Sequence, residues 1–355
     1  MKKIPVFKKT LYAMITIFIM SAFLEISLHV TGFKFRYSEV AGLPDWVRFN
    51  MNRWFLEYDP LLLWRLRTPN PDFNISKQGL RDEIIPETKS SWEYRILCLG
   101  DSCTWGHGLD YKDAYPTTLE KNLNNRTFKK MFFRVVNAGV PGYSSDQGKK
   151  YFQEKLNWVH PDLVTVYFGR NDHRILPAQW QNKHDKDQLQ IRRGNSIAEL
   201  KLLLGATRTY QLISLGIYKI KEKSGYLPPP PAQAPLGRDE KRLPEENRRV
   251  TTYDFIQNLR EIARIAHQRN AEILLVTSPV YPDTTGNYND TIREMAQLHE
   301  YPILDAEKAF KKQGICQLLL DDCHPNVRGS EILAELLADK IVQLYMGKNS
   351  FLINQ

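Results

Sequence analysis

The chain has 355 residues, 42% of them hydrophobic and 25% charged, which excludes a wholly disordered, collagenous or coiled-coil polypeptide. Four cysteines are too few for a disulfide scaffold. The net charge of +9 is scattered in pairs such as Lys129-Lys130, Arg192-Arg193, Arg248-Arg249 and Lys311-Lys312, with no stripe interleaved with aromatics, so nucleic acid is not an expected partner.

The N-terminus opens with Lys2, Lys3, Lys8 and Lys9, and Thr10 to Leu24 then carries no charge. Glu25 interrupts, and apolar character resumes through Ile26, Leu28 and Val30 to Gly32. A spanning helix needs about 20 residues, so Thr10 to Thr31 is long enough if Glu25 lies near an interface. A cleaved signal peptide competes, but Met20-Ser21-Ala22 is a poor match to a small-residue cleavage site. A buried helix of a soluble protein fits the four lysines less well. The expectation is an uncleaved single-pass transmembrane helix over 1–32, its lysines cytoplasmic and the remainder periplasmic or extracellular.

Residues 33–93 are aromatic-rich and punctuated by Pro44, Pro60, Pro69, Pro71 and Gly79, and read as a lead-in that packs on the main domain. A βα rhythm then begins. Strands are expected at Arg95–Leu99, Phe133–Val136, Leu163–Phe168 and Ile273–Val276, with a weak fifth at Pro302–Asp305. Each is a short apolar run, most of them closed by turn residues, as suits strands buried on both faces of a parallel sheet. Helical spacing recurs at Phe255, Leu259, Ile262 and Ala266, and again at Ile332, Leu333, Leu336, Leu337 and Ile341. Alternation of this kind implies a doubly wound α/β sheet, whose ligands bind beyond the carboxyl ends of the strands. Residues 175–248 break the rhythm. They include Pro228 to Pro231 and an apolar piece, Ile197 to Ile220, that predicts one or two helices in an insertion that could serve as a lid.

Four strand-end or pre-helix segments carry chemistry. Gly100-Asp101-Ser102 places a serine at a strand-to-helix turn, where a nucleophile or an ordinary N-cap can sit. Asn137 to Ser144 is a tight loop with two glycines, able to present backbone N–H groups to an oxyanion or simply to turn the chain. Gly169-Arg170-Asn171-Asp172 offers a side-chain amide donor, or an Asx turn. Asp321-Asp322-Cys323-His324-Pro325-Asn326 precedes the last helix, with Asp321 three residues before a histidine that a carboxylate could orient. Asp322, two residues before His324, ranks second; His107 and His173 lie near the motifs and read as rim histidines.

Together and in this order the four segments resemble the blocks of the SGNH hydrolase superfamily, the GDSL esterases and lipases. The resemblance covers roughly residues 94–346 and extends to a membrane-anchored subgroup with lead-in elements like Tyr58-Asp59-Pro60 and Gly79-Leu80-Arg81-Asp82. Cys103 stands in place of the last letter of the G-D-S-L string, and the insertion at 175–248 is unmatched. The resemblance implies a flavodoxin-like three-layer α/β/α sandwich with a mostly parallel five-stranded sheet, a tail at 347–355, and ester hydrolysis through an acyl-enzyme. In that scheme Ser102 is the nucleophile, His324 the acid–base and Asp321 its partner. The N–H groups of Ser102 and Gly142 and the amide of Asn171 form the oxyanion hole. No cofactor is required, and no metal motif such as H-E-x-x-H is present.

The expected substrate is an acyl ester, with O-acetyl groups on envelope carbohydrate as the leading choice. An acyltransferase with the same triad, a lipase or thioesterase, and a non-catalytic polysaccharide-binding protein are the alternatives. Cys98 and Cys103 read as packed side chains, while Cys316 and Cys323 could bridge across the Asp321 segment if the compartment is oxidising.

Overall fold

The computed structural model describes residues 5–33, 55–59, 61–126, 131–174, 184–185, 204, 207–223, 248–282 and 286–349. It divides into two units, one of residues 1–53 and 191–235, the other of residues 54–190 and 236–355.

The first unit is built on α1, Val6–Val30. Among the described residues this is the one helix long and apolar enough to cross a membrane, with a mean hydropathy of 2.0 and none of its most apolar window buried. Two of its hydroxyl side chains are absorbed by its own backbone. Thr16 Oγ1 donates to Tyr12 O at 2.9 Å and Ser27 Oγ to Phe23 O at 2.8 Å, so these residues add little polarity to the helix surface.

The second unit carries the α/β rhythm. A hairpin of β1 (Leu56–Asp59) and β2 (Leu63–Leu66) opens it. The main sheet starts with β3 (Glu93–Gly100); then come the one-turn helix α2 (Ser102–Trp105), α3 (Tyr115–Asn125), β4 (Phe132–Gly139), α4 (Ser145–Lys155) and β5 (Leu163–Tyr167). Helix α5, Arg208–Lys223, comes from the insertion and falls in the first unit with α1. The second unit resumes with α6 (Thr252–Gln268), β6 (Glu272–Val276), α7 (Gly286–Leu298), β7 (Ile303–Leu304), α8 (Ala306–Lys312) and α9 (Val327–Asn349).

The five strands run in the order β4-β3-β5-β6-β7, and every pairing is parallel. Numbered within the sheet this is 2-1-3-4-5, the flavodoxin order. The strand alternation divides the core. Ile96 and Cys98 of β3, Phe133 and Val135 of β4, and Leu274 and Val276 of β6 pack with Leu119 and Leu123 of α3 and Leu333, Leu337 and Ile341 of α9. Leu97, Leu99, Val136 and Val164 are equally buried, which is why these strands read as continuous apolar runs. Helices α4 and α6 pack on each other, as do α3 and α9, giving two helical layers about the sheet. All five expected strands form. The fifth shrinks to two half-buried residues, as its sequence, interrupted by Pro302 and Asp305, leads one to expect.

Candidate active site

Strand β3 is flanked by β4 and β5, so the segments after these three strands lie side by side at the carboxyl edge of the sheet. Gly100 and Gly139 let the chain turn there. A Cβ on Gly100 would lie 2.0 Å from Thr104 Oγ1, and one on Gly139 only 2.2 Å from the backbone nitrogen of Trp105. The first helical turn after β3 is thus pressed onto both strand ends, and no larger residue fits.

The cap of that turn is Asp101. Its Oδ1 accepts from Cys103 N at 2.8 Å, so Ser102 is the first helical residue rather than the N-cap. The hydroxyl of Ser102 lies instead 2.8 Å from His324 Nε2. On the other side of the ring, His324 Nδ1 lies 2.6 Å from Asp321 Oδ2. Asp321 Oδ1 accepts from the backbone N–H of Cys323 at 3.0 Å and of His324 at 2.9 Å. In the neutral ring the proton therefore sits on Nδ1 and Nε2 faces the serine.

Electrostatics follow the geometry. Burial pulls the imidazole pKa down, but the Asp321 hydrogen bond and the adjoining Cys323 thiol outweigh it and push His324 up to about 10. Burial would raise the Asp321 carboxyl; the hydrogen bond and charge of His324, with the two backbone N–H donors, hold it well below the usual carboxylate range.

Asp322 is engaged elsewhere. Its Oδ2 accepts from Arg170 Nε at 2.9 Å and Nη2 at 2.5 Å, tying the His324 loop to the loop after β5. Between the two acids of the sequence motif, the structure therefore gives Asp321 to the histidine and Asp322 to the arginine. His107 packs its ring against His324 at 4.5 Å between centroids. His173 is buried with its ring edge-on to Tyr288.

The remaining predicted donors are held from behind. Asn171 is 4% exposed, and its Nδ2 donates to Asp101 Oδ2 at 2.8 Å. One carboxylate thus caps the serine turn and fixes the amide, whose second N–H is not consumed by that bond. Asp172, rather than Asn171, organises the turn: its Oδ2 accepts from Gly169 N at 3.2 Å, and its Oδ1 from Ser145 N at 2.9 Å. Gly142 has φ +82°, which favours glycine. Its carbonyl accepts from Arg249 Nη1 at 2.9 Å, and the preceding Pro141 carbonyl accepts from Trp64 Nε1 at 2.9 Å.

The lead-in supplies two further supports. Arg81 donates to the carbonyls of Trp105, Gly106 and Leu109 at 2.6, 2.8 and 2.8 Å, closing the turn after Ser102. Asp82 accepts from Asn137 N at 3.0 Å and from the Tyr111 hydroxyl at 2.8 Å. In the sequence Arg81, Asp82 and Asp101 stand out only as parts of motif strings. Apart from the local cap that Asp101 gives Cys103, these bonds are with partners 24 to 70 residues away, and a single sequence carries no sign of such pairings.

Cys316 and Cys323 are both free thiols, so the bridge considered for them is absent. Cys316 is exposed, whereas Cys323 turns into the core, 3.7 Å from His324 Nδ1, and its carbonyl accepts from the Cys103 thiol at 3.3 Å. The ligand atoms of Cys103, Cys323 and His324 lie within 4.8 Å of one another. Both ring nitrogens of His324 already face Ser102 and Asp321, so a metal there would have to displace them.

The GDSL-like lipase/acylhydrolase family model matches residues 98–332, a stretch that contains every residue of this site from Asp101 to His324. The chain belongs to that family. Among curated relatives it is 30% identical over 100 residues to Esterase TesA of Pseudomonas aeruginosa, a match covering 28% of this chain and 48% of the relative. It is 30% identical over 81 residues to the uncharacterized lipoprotein YqeF of Bacillus subtilis, covering 23% and 33% respectively. These matches span about half of the first relative and a third of the second. Solved structures that resemble this GDSL chain include the lipase/acylhydrolase from Enterococcus faecalis, at 18% identity and a TM-score of 0.44, covering 70% of this chain and 95% of that one. Axe2, an acetylxylan esterase from Geobacillus stearothermophilus, resembles it at 16% identity and a TM-score of 0.45, covering 70% and 94%.

Proposed function

We propose that the protein is a serine esterase that cleaves acyl esters through a covalent acyl-enzyme. The observation that carries this reading is the unbroken hydrogen-bond chain from Ser102 Oγ through the His324 ring to the Asp321 carboxylate. Membership of an acylhydrolase family and similarity to a relative named an esterase support the same chemistry. Ser102 Oγ attacks the ester carbonyl while its proton passes to His324 Nε2. The N–H groups of Ser102 and Gly142 and the Asn171 amide receive the developing oxyanion. Collapse of the tetrahedral adduct expels the alcohol, which takes the proton from Nε2. Water then repeats the cycle on the acyl-enzyme and regenerates Ser102. Asp321 holds the tautomer and stabilises the imidazolium that forms in each half.

The anchor reading completes the proposal. Helix α1 spans the membrane once, with its lysines on the cytoplasmic side and the α/β unit periplasmic or extracellular. An esterase tethered there meets the acylated glycans of the envelope, so O-acetyl esters on carbohydrate are the substrate class proposed.

A fluorophosphonate probe tests the nucleophile. It should label the wild-type chain and leave Ser102→Ala unlabelled; equal labelling of both would reject the mechanism. Turnover of acetylated oligosaccharides should then exceed that of long-chain p-nitrophenyl esters. The reverse order would move the substrate from carbohydrate to lipid, and acyl transfer to an added sugar in preference to water would make the enzyme a transferase.

A further inference from the structure

Glu25 is the anomaly of α1, a carboxylate beyond an uncharged stretch about 22 Å long at 1.5 Å per residue. The structure gives it a partner within the same unit. Glu25 Oε1 accepts from the backbone N–H of Arg208 at 2.7 Å, and Oε2 from the N–H of Thr209 and its hydroxyl, both at 2.8 Å. Arg208 and Thr209 are the first two residues of α5. The N–H of the next residue, Tyr210, donates to Thr207 Oγ1 at 3.3 Å. The orphan donors of the first turn are therefore satisfied jointly, by a local hydroxyl and by a carboxylate on another helix. Negative charge is also favoured at that end of the helix dipole.

The consequence is positional. Helix α5 begins beside Glu25, where the uncharged stretch Thr10–Leu24 of α1 ends. In α1, partial burial occurs at Glu25, Ser27 and Leu28, while residues 7–24 are exposed. So α5 does not run back along the span. It presents Ile213, Ile217 and Ile220, spaced i, i+4 and i+7 on one face, at 56, 45 and 69% exposure. Three β-branched aliphatic side chains in a line call for an apolar medium, and the Glu25 cap holds their helix at the level where a bilayer's hydrocarbon would end.

We infer that α5 is an interfacial helix, lying in the plane of the membrane with the Ile213–Ile217–Ile220 face in the outer edge of the lipid and Glu25 as its pivot. This rests on the single-pass anchoring proposed above. It assigns the insertion a lipid surface as partner rather than the role of a lid.

The test uses the full chain in phosphatidylcholine vesicles containing lipids with a doxyl quencher either near the headgroup, to read the Ile217 and Gln211 probes, or at mid-chain, to read the Phe18 probe. Cys316 is replaced by serine, since the other three native thiols are buried, and an environment-sensitive NBD label is placed in turn at Ile217→Cys, Gln211→Cys and Phe18→Cys. The Ile217 probe should be blue-shifted and quenched several-fold more strongly than the Gln211 probe. Quenching at Phe18 with none at Ile217 would overturn the interfacial helix while leaving the span intact. Cross-linking of two copies through Ile217→Cys, with no quenching, would show that a second copy covers this face and would overturn it equally. An unquenched Phe18 probe would sink the span itself. Glu25→Ala should lower quenching at Ile217 and leave Phe18 unchanged; an unaltered Ile217 probe would remove Glu25 as the pivot.

Discussion

The two halves of the candidate site are built differently. On the serine side the groups around Ser102 are buried and most are bonded to distant parts of the chain. Asp101 is 3% exposed and serves Cys103 and Asn171, Arg81 closes the following turn, and two glycines admit the backbone. On the histidine side the loop is local and more open. Asp321 holds His324 from three residues away, with 46% of its own side chain exposed. The Arg170–Asp322 pair, the Cys103–Cys323 contact and the Tyr281 N–H, which donates to the Asp322 carbonyl at 2.8 Å, tie that loop to the sheet edge. Ser102 is therefore held by the fold as a whole, and His324 mainly by short-range bonds. A change on the first side should disturb stability and activity together, unless it removes the reacting atom alone. A change on the second should separate them.

The largest effect expected is the loss of the reacting atoms. Ser102→Ala and His324→Ala should each lower kcat by about 10⁴-fold or more; Ser102→Ala should shift thermal unfolding by only a degree or two, whereas His324→Ala also removes the paired imidazolium and should lower it further at neutral pH. Residual turnover within tenfold of wild type in steady-state assays would contradict the mechanism.

Asp321→Asn should come next, at about 10³–10⁴-fold in kcat, and its pH dependence is the sharper readout. The rate needs neutral His324, whose pKa is raised to about 10 in the folded chain. The acid limb of kcat/KM should therefore lie well above the ordinary histidine value near 6.5, with activity climbing through the alkaline range. Removing the carboxylate should bring the limb down toward that value. The linked stability has the opposite sign. A raised folded pKa stabilises fully below about 6.5 and is lost as pH rises toward 10. Denaturant midpoints should thus fall between pH 7 and 10 in the wild type, and less in Asp321→Asn. An acid limb that stays in place in the variant would remove Asp321 from the role.

Much of this arrangement is legible in the sequence because it follows the strands. Short apolar runs closed by turn residues mark where side chains can face a pocket, and Ser102, Gly142 and Asn171 sit at such places, while His324 stands out by its place just before the last helix. The choice between Asp321 and Asp322 is already tilted by spacing, since three residues fit one turn of chain and two do not. What the sequence does not display is long-range pairing. Nothing local says that Asp101 will grip Asn171, that Arg170 will take Asp322, or that Glu25 will cap a helix beginning 183 residues later. The Cys316–Cys323 bridge fails for the same reason. Proximity in sequence says nothing of direction, and Cys323 points inward to the core that Cys103 also joins.

Asn171→Ala probes the junction of the two halves. It should lower kcat by about 10²–10³-fold with little change in KM, because an oxyanion donor matters in the transition state. It also leaves Asp101 Oδ2 without its amide, so some loss of stability should accompany it. Asn171→Asp would place two buried carboxyls together and should be worse in urea melts than the alanine. A selective rise in KM would instead make Asn171 a ground-state contact.

The smallest effect separates local from global holding. Arg170 is 4% exposed on its side chain and Asp322 18%. Breaking such a pair by Asp322→Asn should cost about 3 kcal/mol at most, because the partly exposed end of the pair is hydrated. Arg170→Met should cost at least as much, and the double variant less than the two together, since each single change strands a charge that the other removes. Urea denaturation of the four proteins gives the coupling directly. The kinetic expectation is narrower: with Asp321 untouched, Asp322→Asn should lower kcat modestly and leave the acid limb of the pH profile where it was. A shift of that limb would mean that Asp322 acts on the histidine itself, and the division of labour between the two adjacent acids would have to be redrawn.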